Sequence, residues 1–406
     1  MTFFDDPVAF LGDLITGLLD PIIEFLKLPA GTTNVFINLI GVIVVASFGL
    51  LLVILLTWLE RKVAARFQDR IGPNRAGPYG LLQAFADMIK MITKEDITPA
   101  GADKVPYNIA PILSVVSVIL IWAVIPFSAT WFGTDINVGV LYIAAVGSFG
   151  ILAVLMAGWS SNNKYALLGA FRSVAQLISY EVPLFLALLI PVLLARTMGV
   201  NGIVQAQETW FVVLAPLPAL IFFVSSLAEI GRTPFDLLEA ESEIVAGFHI
   251  EYTGMKFGMF MAGEFLHAFT ISVLTALMFF GGWRGFGPGV PDPIWGLVIL
   301  MAKSFFFYFI IMWIRSTLPR IRIDHMLAFN WKFLTPLSLV LLIVTALIDK
   351  AYEASALHLP VMLGANLVIL LVTIQILRVV GRKSEKQLQT FKPRPVAVPP
   401  PEEASA

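Results

Sequence analysis

Nine stretches of this chain are apolar over roughly the 20 residues that a helix needs to cross bilayer hydrocarbon. They run Val35–Leu59, Tyr107–Phe127, Val138–Trp159, Ser173–Ala195, Trp210–Glu229, Phe257–Gly281, Ile294–Ile314, Phe333–Ile348 and Leu359–Val379. Polar connections separate them, so the pattern predicts an all-α polytopic membrane protein with about nine transmembrane helices. The bundle occupies residues 34–380, with its longer polar loops at 60–106, 230–256 and 315–332. Residues 1–33 alternate acids with Leu, Ile and Phe and read as an amphipathic extension on the external side. Residues 80–93 (GLLQAFADMIKMIT) follow a turn-rich IGPNRAGPY and are too short and polar to span, which predicts an interfacial amphipathic helix. Residues 381–406 are basic, then rich in proline, and read as a disordered cytoplasmic tail.

Composition agrees with lipid as the solvent. The 406 residues are 58% hydrophobic and only 14% charged, with mean hydropathy +0.85. Lysine and arginine concentrate in alternate connections; only Lys27, Arg196, Arg284 and Lys350 fall in the opposite set, and Lys303 lies within a span. That bias puts the N-terminus outside and the C-terminus in the cytoplasm. No secretory signal is visible, so targeting is expected to come from the first span. A net charge of −1 gives no electrostatic case for nucleic acid. The chain has no cysteine, which removes thiolate chemistry and cysteine-bound iron–sulfur clusters, and its four histidines are too scattered for a ligand motif. No Gly-rich dinucleotide fingerprint is present.

Against this background the acids between the fifth and sixth spans stand out. Glu229, Asp236, Glu239, Glu241, Glu243, Glu251 and Glu264 are accompanied by only Arg232 and Lys256. Thr233 and Pro234 make a good helix start, and on that helix Asp236, Glu239 and Glu243 share one face while Glu241 points elsewhere. An isolated acidic loop is ordinarily a solvated face. Here Phe235, Leu237, Leu238, Ile244, Val245 and Phe248 argue for a partly buried one. Inside the spans the ionisable groups are Glu181, Glu264, His267 and Lys303, each a functional candidate because charge in hydrocarbon is costly. Pro183 follows Glu181 closely and frees backbone groups that water can satisfy. Arg172, nine residues earlier, is out of phase with Glu181. His267 shares a face with Glu264, although a lone histidine in a span is more often a packing residue. The arginines of the polar loops fit the positive-inside bias, least simply Arg70, Arg320 and Arg322, which sit among Gly, Pro and apolar residues.

Four strings are far more specific than any of this: ERKVAARFQDRIGPNRAGPYGLLQAFADMIK (60–90), SYEVP (179–183), LAEIGRTPFDLLEAESEIVAGFHIEY (227–252) and WIRSTLPRIRIDHMLAFNWK (313–332). From Asn34 to about Ile348 the chain resembles the family that forms the membrane-arm heel of respiratory complex I, the proton-pumping NADH:quinone oxidoreductase. The resemblance implies a quinone chamber (quinone binding, as ubiquinone or menaquinone) involving Glu60, Arg61, Arg70, Asp87, Phe257, Arg315, Arg320 and Arg322. It also implies a proton-coupling path through Glu181, Glu229, Glu239, Glu241, Glu243 and Glu264, with Asp236 and Glu251 beside it and Arg172, Arg232 and Lys303 pairing or interrupting the acids. On this resemblance the chain carries no redox centre and no metal. NADH, FMN and iron–sulfur clusters sit on partner subunits: hydrophilic quinone-site subunits carrying the terminal cluster, small membrane subunits and antiporter-like pumps. The extension, the ninth span and the tail depart from the eight-span mitochondrial form and point to a bacterial plasma membrane. His325 stands where glutamine is common, and Met261 where an aromatic is often found.

Two other classes fit parts of the pattern. A stand-alone secondary transporter also keeps acids in its spans, but calls for an inverted repeat. A haem-bearing quinone oxidoreductase calls for paired axial ligands.

Overall fold

A computed structural model describes residues 32–236, 247–285, 292–352 and 357–390. Helices α1 (Thr32–Phe67), α3 (Lys104–Trp122), α4 (Gly139–Ser160), α5 (Lys164–Ala195), α9 (Gly254–Phe279), α10 (Pro293–Thr317), α12 (Thr335–Tyr352) and α13 (His358–Thr390) form a bundle. Short helices α2 (Gln83–Thr93), α6 (Val200–Ala206), α7 (Phe211–Leu214), α8 (Pro216–Ile230) and α11 (Ile323–Phe329) connect or complete them. The centre is α9, of whose apolar window 72% is buried, against 11% for α13 at the periphery. Around α9 pack α1, α3, α8 and α10, while α5 joins α4, α8 and α12.

Eight helices among the described residues are long and apolar enough to cross a membrane, rather than nine. The expected fifth span, 210–229, is broken: Ala215 has φ −134° and ψ 66°, and only the 15 residues of α8 continue beyond it. The cause is local. Pro216 and Pro218 lack the N–H that would bond the preceding turn, leaving the Leu214 carbonyl without its i+4 donor. Asn366 on α13 supplies one instead, Nδ2 to O at 3.2 Å.

Several helices outrun their apolar stretches. The 36 residues of α1 measure about 54 Å, well beyond about 30 Å of hydrocarbon, so Glu60 and Arg61 lie on a helix rather than in a loop. Arg315 likewise belongs to α10, and the chain is helical again from Ile323. An apolar run measures the crossing; helical hydrogen bonds continue past it. The expected interfacial helix is α2. Before it, Gly80 has φ 78°, and a methyl group there would lie 2.2 Å from the Pro73 carbonyl oxygen. Residues 381–390, read as the start of a disordered tail, continue α13. The amphipathic extension and the proline-rich end lie outside the described residues.

Candidate functional site

The site is organised where α8 ends. Gly231, at φ 72°, adopts the left-handed conformation that closes a helix, and the turn directs Arg232 into the bundle. Gln176 of α5, fully buried, holds this turn by donating to the carbonyls of Ala228 (2.8 Å) and Phe235 (2.7 Å). Arg232–Asp236 is a turn, closed by Phe235 N–H on the Arg232 carbonyl at 2.9 Å, and the helix expected to follow Thr233 and Pro234 lies outside the described residues. The Ile321 N–H, 2.9 Å from the Pro234 carbonyl, holds the same turn from the far side of the sequence. Glu239, Glu241 and Glu243 lie outside the described residues, and Asp236 stands half-buried at their edge.

Arg232, 5% exposed, bridges two acids. Its Nη1 lies 3.1 Å from Glu60 Oε1 and its Nε 3.1 Å from Glu264 Oε1, while the guanidinium stacks on Phe265 at 5.0 Å. Glu60, itself 8% exposed, also pairs with Arg315 and accepts the Tyr308 hydroxyl at 3.2 Å. Two cations and two anions from α1, α9, α10 and the turn after α8 thus form one network. Its net charge of zero suits a low-dielectric interior, where any single unpaired charge is expensive.

Glu264 opens from this network onto a cavity of about 110 Å³ bounded by α3, α4, α5, α8 and α9. Its polar lining is Glu229, Glu264, His267, Ser114 and Ser117. The volume suits a handful of waters. Small residues make the space: a methyl group on Gly147 would stand 3.9 Å from Glu229 Oε1, and one on Gly263 would press on Ser114 Oγ at 2.9 Å. His267 Nε2 is 3.7 Å from Glu229 Oε1, whereas Glu229 Oε2 is buried without a hydrogen-bond partner among the described residues. Beyond the cavity Glu181 accepts from Ser148 Oγ at 2.8 Å and lies close enough to Glu229 for the two charges to interact. The structure therefore joins Arg315, Glu60, Arg232 and Glu264 in one network, sets Glu264 and Glu229 on one cavity, and places Glu181 on Ser148 beyond it.

Other candidates sit apart from it. Glu251 accepts from Asn163 Nδ2 at 2.6 Å, and its carbonyl accepts from Tyr107 at 2.7 Å. Around it Tyr107 stacks on Tyr252 at 4.2 Å, Lys256 lies over Tyr107 and pairs with Asp96 at 2.8 Å, and Phe257 packs on His249 at 5.3 Å. Burial lifts the Tyr252 phenol to about 12, so it stays neutral as part of an aromatic clamp. Lys303 donates to the carbonyls of Phe280 (2.7 Å), Gly282 (2.9 Å) and Arg284 (2.6 Å) and lies over Trp210 at 4.7 Å. It caps the end of α9, about 24 Å along the helix from Glu264. Arg172, half-buried on α5, is about 13 Å along the axis from Glu181.

Near the end of α1, Asp87 of α2 pairs with Arg61, lies 3.4 Å from Lys90 and accepts from Gln83 at 3.4 Å. Burial opposes ionisation of Asp87, but the Arg61 bond and the charges of Arg61 and Lys90 outweigh it and hold the carboxyl below its usual range. Arg70 is exposed and bonds Gln68 at 2.7 Å, Arg322 is exposed 3.5 Å from Asp324, and Arg320 is half-buried. Sequence reasoning missed Tyr308, Ser148 and Gln176. A tyrosine in the run FFFYFIIMW is a usable signal, since a buried phenol needs a partner; Ser148 and Gln176 carry no such mark.

The model of the family described as NADH dehydrogenase matches residues 40–346. Among similar proteins, the NADH-quinone oxidoreductase H subunit of Dehalococcoides mccartyi strain CBDB1 is 46% identical over 332 residues, covering 82% of this chain and 92% of that one. The corresponding protein of Rhodospirillum centenum, which bears the same name, is 44% identical over 319 residues, 75% and 94% of the two chains. That of Chlorobaculum tepidum, again of the same name, is 42% identical over 331 residues, 76% and 92%. With the apolar helices, the buried ion network and these matches together, the chain belongs to the NADH dehydrogenase family, beside proteins named as the H subunit of NADH-quinone oxidoreductase.

Proposed function

We propose that this chain is the membrane-embedded H subunit of a proton-translocating NADH:quinone oxidoreductase, in which it encloses quinone and couples quinone reduction to proton pumping in neighbouring subunits. The observation that carries the reading is the continuity from the paired Glu60, Arg232 and Glu264 to the cavity of Glu264, His267 and Glu229. Reduction of a quinone consumes two electrons and two protons, so each turnover changes the charge beside Arg315 and Glu60. A unit charge at about 4 Å is worth about 4 kcal/mol at intermediate dielectric. That is enough to redistribute Arg232 between its two acids. An Arg232 drawn toward Glu60 leaves Glu264 less compensated and favours proton uptake there; the change is then felt by Glu229 and Glu181.

In this reading FMN and iron–sulfur clusters are carried by hydrophilic partner subunits and the pumps are separate membrane subunits. The side rich in lysine and arginine faces the cytoplasm of a bacterial plasma membrane. The chain supplies enclosure and coupling. Mild-detergent affinity purification should recover flavin- and iron–sulfur-bearing subunits with it. In the assembled complex Glu264→Gln should depress quinone reduction and proton translocation together, and full pumping by that variant would overturn the coupling role.

A further inference from the structure

Among the described residues that line the cavity, the titratable groups are Glu229, Glu264 and His267, the last its single imidazole. His267 follows Glu264 by three positions on α9, so both project from the same face. Its Nε2, 3.7 Å from Glu229 Oε1, is just beyond direct hydrogen bonding, a gap that a small side-chain rotation or one water closes. The other oxygen of Glu229 is buried without a partner among the described residues. Such an oxygen is satisfied by a proton or by cavity water, since leaving it bare is costly. A neutral imidazole offers one acceptor and one donor nitrogen, the combination that takes a proton on one side and returns one on the other.

We propose that His267 is a proton-relay residue of this cavity, exchanging protons with Glu229 at Nε2 and with the water shared with Glu264 at Nδ1. Protonated Glu229 gives its proton to Nε2 and becomes a carboxylate; the imidazolium releases its Nδ1 proton to cavity water, from which Glu264 takes it. One proton has crossed and no electrons have moved; a turn of the ring that carries its protonated nitrogen toward the cavity water and its bare nitrogen toward Glu229 readies the next transfer. This rests on the coupling path proposed above and adds a residue to it. A packing histidine needs only shape and a hydrogen bond, both of which glutamine provides. A relay needs a side chain that titrates.

The test uses the intact complex in proteoliposomes, comparing His267→Gln and the smaller His267→Asn with Glu229→Gln, each checked for assembly. Both histidine variants should slow quinone reduction and proton translocation about tenfold, less than the full effect of losing a direct acid–base group because water offers a bypass. They should also enlarge the solvent deuterium isotope effect, which loss of a purely structural contact leaves alone. If Glu229→Gln is impaired while both histidine variants match the native rate and isotope effect, the relay is overturned and the path stands. If Glu229→Gln also pumps fully, both fall.

Discussion

Arg232 Nε stands 3.1 Å from Glu264 Oε1, joining the turn after α8 to the middle of the most buried helix. The same guanidinium holds Glu60 at 3.1 Å, so Arg232 connects an acid at the end of α1 to an acid beside a cavity. Replacing Arg232 by Met should leave the network with one cation, Arg315 beside Glu60, for two carboxylates, at about 3–5 kcal/mol for a broken buried pair. The amount of assembled complex in membranes should fall sharply, and adding Glu264→Gln should restore part of it.

Gly147 is where cavity volume can be altered without replacing an ionisable group. Its added methyl would sit 3.9 Å from Glu229 Oε1, in ordinary contact. Gly147→Ala should therefore assemble normally and lower proton translocation a few-fold, and Gly147→Val should lower it further as water is displaced. Proton uptake measured per quinone reduced would separate these outcomes from a general loss of activity.

Lys303 is held by three carbonyls at the end of α9. Lys303→Met should remove the cap and leave those acceptors unsatisfied, a cost of about 1–3 kcal/mol for each buried group left bare. Thermal inactivation of the complex should come several degrees earlier, while the initial ratio of protons pumped to quinone reduced stays native. A change in that ratio at native thermal stability would argue for a direct place on the path.

Asp87 ties α2 to α1, and its carboxyl is held below the ordinary value of 3.8. A depressed carboxylate stabilises the fold at every pH above that ordinary value and loses the contribution as pH falls through its lower folded value. The tie should thus be constant across neutral and mildly acidic pH. It should weaken only in stronger acid, read as faster hydrogen exchange in α2. Asp87→Asn should show the loosened state at neutral pH.

Asn366 completes the break between α7 and α8. Asn366→Leu should leave the Leu214 carbonyl without a donor and loosen α13 from the bundle, detected as earlier protease cleavage between α12 and α13 in detergent.

Much of this was legible in the chain alone. Apolar runs at bilayer length pointed to the helical class and eight of the crossings, and the specific strings around Glu60, Glu181, Arg232 and Arg315 pointed to the family. The fifth apolar stretch is helical in two pieces, α7 and α8, because Pro216 and Pro218 withhold backbone donors that one continuous helix needs. The acidic loop drew attention to Glu239, Glu241 and Glu243, which lie outside the described residues. The contacts of Glu60 and Glu264 came from tertiary structure.

From sequence alone came what depends on neighbours along the chain: solvent class, crossing length, the bias of positive charge to one side, and the presence of costly acids in apolar surroundings. Partnership is different. Glu60 and Arg232 are 172 positions apart, and Glu60 and Tyr308 are 248. No period or spacing encodes such pairs. They exist because α1, α9 and α10 pack together and the left-handed Gly231 turns Arg232 inward; the cavity exists because small residues on different helices meet. Which acids are paired, and which face a cavity within the bundle, is a property of packing alone.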